Sequence, residues 1–344
     1  MKFRTSIYAI ISLVIGATTL VAEEFQTGLI DLEVTDKRGD RPIKGYLWFP
    51  THQTEGKIRA HGNAVWEPIR VIPNADPAKG KHPLVVLSHG MFGNARNQAW
   101  LAQGLSEKGY IVAAINHPGT STFNRDPNQR RQLWERANDI TRTIDYILDT
   151  SEFGDLVDQD RIYMAGHSMG GFTAILLAGG RYDSGKMDAF CVANPGELVC
   201  GIFAKWGVAK TPKDRAIISQ DWSDDRIRAF AVFDLGGTQT FSPDSLANIN
   251  RPLLVIGAPL DISGLDLDIE SRALVAGLPK SNVRYLEPAS LSHFDFLGVC
   301  TPQALDILKQ EEPDDVFVCE RGMEERRQEH AEIAAEVNAF FSGN

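Results

Sequence analysis

Two hydrophobic patterns divide the chain. Leu29–Thr35 and Ile43–Phe49 alternate apolar and polar residues around Asp36-Lys37-Arg38-Gly39-Asp40, which predicts an antiparallel hairpin. Residues 51–82 are rich in Pro, Gly, Asn and Asp and read as loop, with a short strand near Ile69–Ile72. From residue 83 onward the pattern becomes compact apolar runs: Leu84–Leu87, Ile111–Ile115, Ile162–Ala165, Ile227–Phe233, Leu253–Ile256 and a weaker Val283–Leu286. Continuous runs suit strands covered on both faces, as parallel strands are. Helical stretches lie between and after them, at Arg96–Lys108, Gln132–Leu148, Met169–Ala178, Asp268–Ala276 and Glu324–Phe341. In the second, Leu133, Ile140, Ile144, Ile147 and Leu148 recur at helical spacing.

Strand–helix alternation predicts an α/β fold. Its sheet is expected to be mostly parallel, with helices on both faces and the antiparallel hairpin at the N-terminal side. The stretch at about 181–225 breaks the rhythm. It holds two cysteines, Trp206 and Trp222, and reads as a cap inserted over one end of the sheet. No repeat or linker divides the rest, so residues 23–344 are expected to form one domain.

The first residues differ. Lys2 and Arg4 precede an apolar stretch from Ile7 to Val21, and Ala22 stands before Glu23 and Glu24. This is the pattern of a cleaved export signal over residues 1–22. The stretch is short for a bilayer span of roughly 20 residues. No stable membrane insertion is expected after cleavage, and the mature chain is expected to be secreted or periplasmic. Export makes disulfides the natural reading of Cys191, Cys200, Cys300 and Cys319, since zinc would want C-x-x-C spacing and nearby histidines. Four cysteines allow three pairings, of which Cys191–Cys200 with Cys300–Cys319 is the simplest. The 344 residues are 43% hydrophobic, enough for a large core, and carry a net charge of −10. An acidic chain without a basic stripe argues against nucleic-acid partners.

The chemistry centres on Gly166-His167-Ser168-Met169-Gly170, set between an apolar strand and an apolar helix. This is G-x-S-x-G in a strand–elbow–helix context, with Ser168 as nucleophile. The sharp turn needs small flanking residues and projects the serine hydroxyl outward. In this arrangement acid and base follow the nucleophile along the chain. His293, in the loop after Val283–Leu286, is the candidate base; His330 lies in a charged helix and is expected on its solvated face. For the acid, Asp261 in the loop after Leu253–Ile256 is preferred, and Asp234 at the end of Ile227–Phe233 is the runner-up; Asp266 and Asp268 lie further along. The oxyanion donors expected are the backbone N–H groups of Met169 and of Met91 in Ser88-His89-Gly90-Met91.

These residues carry a resemblance. Ser88-His89-Gly90, Asn116-His117-Pro118-Gly119, Gly166–Gly171, Leu254–Gly257 leading to Asp261, and Ser292–Leu297 together resemble secreted bacterial α/β hydrolases called dienelactone-hydrolase-like, which are similar to platelet-activating-factor acetylhydrolases. The resemblance spans about residues 28–342. True dienelactone hydrolases have a Cys nucleophile where this chain has Ser168, and acetylhydrolases place their acid one strand earlier, near Asp234. The elbow also resembles that of bacterial cutinases and polyester hydrolases. The expectation is a serine hydrolase of small or lipid-like carboxylic esters, working without metal or cofactor. Acyl transfer, peptide hydrolysis and non-catalytic binding on the same fold are the alternatives. Phe190, Phe203, Trp206 and Trp222 are expected either to wall the substrate site or to form the cap's own core.

Overall fold

A computed structural model of the chain describes residues 25–35, 38–260 and 263–344; the expected signal at 1–22 and the preferred acid Asp261 lie outside the described residues. Strands β1 (Gln26–Val34), β2 (Ile43–Thr51), β3 (Ile58–Ala60), β4 (Ile69–Pro73), β5 (His82–Ser88), β6 (Ile111–Asn116), β7 (Val157–His167), β8 (Ile227–Phe233), β9 (Leu253–Ile256) and β10 (Val283–Leu286) form one sheet. Its order is β10-β9-β8-β7-β5-β6-β2-β1-β4-β3. From β10 to β6 every pairing is parallel. β2 is antiparallel to both β6 and β1, and the β1–β2 hairpin keeps register from Gln26 opposite Thr51 to Val34 opposite Ile43. The short β3, antiparallel to β4, was not legible in the loop-like composition of residues 51–82.

The compact apolar runs become strands buried on both faces. Leu84 and Val86 of β5 point into one core layer with Ile162 and Met164 of β7, while Val85 and Leu87 point into the other with Tyr163 and Ala165. Helices α1 (Ala99–Ser106), α2 (Pro127–Arg130), α3 (Trp134–Asp149) and α4 (Met169–Leu177) follow in chain order. The first layer is covered by α3 and α4 through Ile140, Ile144 and Ile175. The second is covered by α1 and by the long C-terminal helix over Met323–Ser342, through Leu101, Leu105, Ile333 and Phe341.

Between α4 and β8 the chain forms α5 (Ser184–Ala193), α6 (Leu198–Trp206) and α7 (Pro212–Ile218). The Cys191–Cys200 disulfide joins α5 to α6. Val199, Phe203 and Trp206 of α6 pack into the same layer as α4. After β8 come α8 (Pro243–Ala247), α9 (Ser271–Gly277), α10 (Ala304–Glu311) and α11 (Met323–Ser342). Cys300 and Cys319 are bonded across 19 residues, tying α10 and the turn after it into a small separate cluster. No described helix is long and apolar enough to cross a membrane.

The strand order reverses at β5: β6 lies on one side of it and β7 on the other. Parallel sheets open a crevice at the carboxyl ends of strands where such a reversal occurs. Here that point brings the loop after β5, carrying His89–Gly93, against the turn after β7, carrying Ser168.

Candidate active site

Ser168 links β7 directly to α4 with φ 54° and ψ −119°, a conformation costly for a residue with a side chain. The turn closes because its neighbours lack side chains. A Cβ on Gly166 would collide with the Gly170 carbonyl oxygen, and one on Gly170 with the Ser88 carbonyl oxygen. Ser168 N–H donates to the Phe233 carbonyl at 2.9 Å, and its own carbonyl accepts from Gly171 and Phe172 at 2.8 and 3.2 Å. The strained residue is thereby fixed from both sides, half-buried, on the wall of a cavity.

His293 opens a short 3-10 turn, His293–Phe296, after β10. Its Nδ1 lies 2.7 Å from Asp234 Oδ2. Asp234 ends β8 with φ 38°; its N–H donates to the Ile256 carbonyl and its Oδ1 accepts from Ala258 N–H at 3.0 Å. Histidine and aspartate are 6% and 4% exposed, so the pair is shielded yet His293 still reaches the cavity. Among the described residues, which do not include the preferred Asp261, the carboxylate brought to His293 is that of the runner-up Asp234. The physical reason is the sharp positive-φ turn at the end of β8, which aims the side chain across the strand end. Asp266 and Asp268 are exposed on the loop before α9, and Asp268 instead pairs with Arg272.

Met91 and Met169, the expected oxyanion donors, both line the same cavity. Met91 N–H has no hydrogen-bond partner among the described residues, and Met169, the first residue of α4, has no acceptor within its helix. Phe92 adopts φ 53°, and Phe92 N–H donates to Thr120, fixing the loop beside Met91. His89 anchors its base: Nδ1–H donates to the Gly90 carbonyl at 2.7 Å while Nε2 accepts from His117 N–H at 3.1 Å. The cavity, about 930 Å³, is lined by Ser168, His293, Met91 and Met169 and walled by Trp66, Phe123, Phe203, Phe294 and Phe317. Of the four cap aromatics singled out from the sequence, Phe203 reaches the cavity; Phe190, Trp206 and Trp222 pack in or against the core.

A family model described as Serine aminopeptidase, S33 matches residues 79–206. Cutinase est1 of Thermobifida alba is 31% identical over 101 residues, covering 29% of this chain and 31% of that protein. Cutinase 2 of Thermobifida cellulosilytica is 30% identical over 101 residues, covering 29% and 35%. The chain thus spans about a third of the length of these relatives. It is also similar to the structure of a ferulic acid esterase from Streptomyces cinnamoneus, with a TM-score of 0.61 and 19% identity across 93% of this chain and 90% of that one. The fold is that of the α/β hydrolases. Within it, the parallel sheet, the N-terminal hairpin and the serine turn stand where the sequence pattern put them.

Several supporting residues escaped the sequence reading. Asp295 Oδ2 accepts from both Ser292 N–H and Ser292 Oγ at 2.7 Å, a capping box that holds the His293 turn. Arg326 of α11 donates to Asp295 Oδ1 at 3.1 Å. His330, expected on a solvated face, is buried: it stacks on Trp100 at 3.8 Å and donates through Nε2 to the Asp295 carbonyl. Burial pushes its pKa down to about 3. The Ser-x-x-Asp spacing at 292–295 was the available signal. Nothing local in α11 reveals which of its charged residues face inward. His167 Nε2–H donates to the His293 carbonyl at 2.8 Å, and burial holds the His167 pKa well below its ordinary value, so the ring is neutral.

Proposed function

We propose that this protein is a serine hydrolase of carboxylic esters. Ser168 would attack the ester carbonyl while His293 takes its proton, Asp234 holding the imidazole through Nδ1–H and stabilising the imidazolium. Met91 and Met169 N–H would receive the developing oxyanion. Water activated by His293 then releases the acid from the acyl-enzyme. The observation that carries this reading is the convergence, on one cavity, of a strained, half-buried serine and a shielded His293–Asp234 pair. Aromatic walls favour an apolar acyl or aryl group. The cutinase and ferulic acid esterase likenesses support ester chemistry.

The finer family reading is the acetylhydrolase side of the resemblance, because the Asp234–His293 contact matches the acid position which that resemblance implies. Export to the periplasm or beyond is supported by the two disulfides. A cap role for residues 181–225 is supported by α6, whose Leu198, Val199, Ile202 and Phe203 line the cavity.

The test is hydrolysis of p-nitrophenyl esters of graded chain length, with fluorophosphonate labelling of the wild type and Ser168→Ala. Turnover and labelling that vanish together in the variant are expected. A wild type that is inert and unlabelled overturns the reading. An aminoacyl p-nitroanilide belongs in the same assay, since the matched family model is that of an aminopeptidase; cleavage of that substrate in preference to every ester would replace ester by amide chemistry.

A further inference from the structure

Two arginines of the cavity wall, Arg125 and Arg96, make no ion pair among the described residues, although Glu67 and Asp315 line the same cavity. Arg125 lines the cavity and holds its guanidinium 4.5 Å over the Phe92 ring. It makes no ion pair or side-chain hydrogen bond among the described residues. Arg96 also lines the cavity. Its Nε and Nη2 donate to the Tyr46 hydroxyl at 3.0 and 2.7 Å, a neutral partner, and its guanidinium lies 5.8 Å from the Phe123 ring. Behind them Arg130 stands 5.7 Å from Phe92 and 5.2 Å from Trp206, with Nε buried and unbonded.

Several surface arginines of this acidic chain meet carboxylates, although exposed Arg59 and Arg70 do not among the described residues. Arg181 meets Asp221, Arg215 meets Asp188, and Arg272 meets Asp268. The third cation of the cavity wall, Arg327, is neutralised by Glu67 and Glu324. Contact with an aromatic face leaves a guanidinium's charge intact and its in-plane N–H groups free to donate. Arg125 and Arg96 therefore present positive charge and free donors to the cavity from exposed positions, where their attraction for a bound anion depends on salt.

We propose that the site selects esters that also carry an anionic oxygen group such as a carboxylate, received by Arg125 and Arg96. This rests on the ester-hydrolase reading and narrows its substrate class. The anion could belong to the acyl part or to the alcohol part, and two substrate pairs separate these: mono-p-nitrophenyl suberate against p-nitrophenyl octanoate, and p-(carboxymethyl)phenyl butanoate against p-tolyl butanoate.

The wild type should favour the charged member of one pair in kcat/KM by about tenfold, the effect of one charge-assisted contact. Raising salt to about 0.5 M should shrink that ratio. The double variant Arg96→Gln, Arg125→Gln should bring it near unity. Arg228→Gln, on β8 and paired with Asp160, should leave it unchanged. No preference in either pair, or a preference that the double variant retains, overturns the proposal. Calorimetry with Ser168→Ala and the same four compounds separates the two readings. An inert wild type whose variant still binds the charged member about tenfold tighter would sink ester hydrolysis alone; equal binding of charged and neutral members would sink the anion site.

Discussion

The molecule brings the same three residue types together twice. In one, His293 Nδ1 lies 2.7 Å from Asp234, and Ser168 stands on the same cavity wall. In the other, Ser88 Oγ lies 2.9 Å from His117 Nε2, and His117 Nδ1 lies 3.0 Å from Asp139 Oδ2. By hydrogen-bond pattern alone the second is the better-formed triad. Its surroundings deny it chemistry. Ser88, His117 and Asp139 are all 0% exposed, and Ser88 ends a regular strand with no positive φ to thrust its hydroxyl outward. Arg136 Nη2 donates to Ser88 Oγ at 3.1 Å, occupying a lone pair a nucleophile would need. Burial lowers the Arg136 pKa to about 9, which still leaves it cationic at neutral pH. Residue types and spacing make a relay; backbone strain and an opening make a site.

The largest effects should separate the two serines. Ser168→Ala should reduce ester turnover by roughly 10⁴–10⁶-fold, and Asp234→Asn should lower kcat by about 10⁴-fold through loss of the correct imidazole tautomer. Ser88→Ala should keep fluorophosphonate labelling while lowering stability by about 1–3 kcal/mol, the cost of leaving buried His117 and Arg136 groups without a partner. Labelling that disappears in Ser88→Ala, in a protein with unchanged near-UV circular dichroism, would erase the distinction between the relays.

Next in size is the buried acid. Asp139 receives Arg41 Nε and Nη2, both at 2.7 Å, and approaches Arg142 at 3.6 Å. Removing one partner from such a cluster leaves uncompensated buried charge, worth about 3–5 kcal/mol. Asp139→Asn is thus expected to lower the denaturant midpoint strongly, while the folded fraction keeps its kcat within a few-fold. If kcat collapses at full folding, the buried relay is coupled to the chemistry after all.

How much of this could be read from the chain follows from the range of each interaction. The β5–β9 runs, the five helical stretches named from the sequence and the Ser168 turn rest on local pattern, and the structure holds them within a few residues. His293 was reachable from chain order. The acid was not decided by sequence, because Asp234 and Asp261 both follow strands. The contact of Asp234 with the imidazole depends on its φ of 38°, which no local pattern announces, and Asp261 lies outside the described residues. The buried relay was invisible: Ser88, His117 and Asp139 come from two neighbouring strand ends and a helix. Ser88 drew attention only as part of the oxyanion loop and, with His117, of family-like motifs, and Asp139 drew none. The inward face of α11 is likewise set by packing on α1 and the His293 turn, and charged residues such as Arg326 carry no mark of burial.

The smallest expected effect concerns protons. Burial, with Arg136 and Arg41 close by, pushes the His117 pKa well below its ordinary 6.5. The unfolded chain takes up a proton at this ring below about pH 6.5, and the folded chain does not. Folding stability contributed by the neutral ring is therefore complete above that pH and is lost as the solution is acidified through it, by about 1.4 kcal/mol per pH unit for one proton. His89, His167 and His330 share the direction, so the wild type should show a steep acid-side slope. His117→Gln supplies a neutral side chain that cannot take the proton. It should cost stability at pH 7 yet show a shallower decline between about pH 6.5 and 5, by close to one proton in the slope. Denaturant midpoints across that range would read it directly. Parallel slopes in the two proteins would mean that His117 is already protonated when folded, bridging Asp139 as an imidazolium, and the buried relay would then be an ion-pair network rather than a neutral copy of the open site.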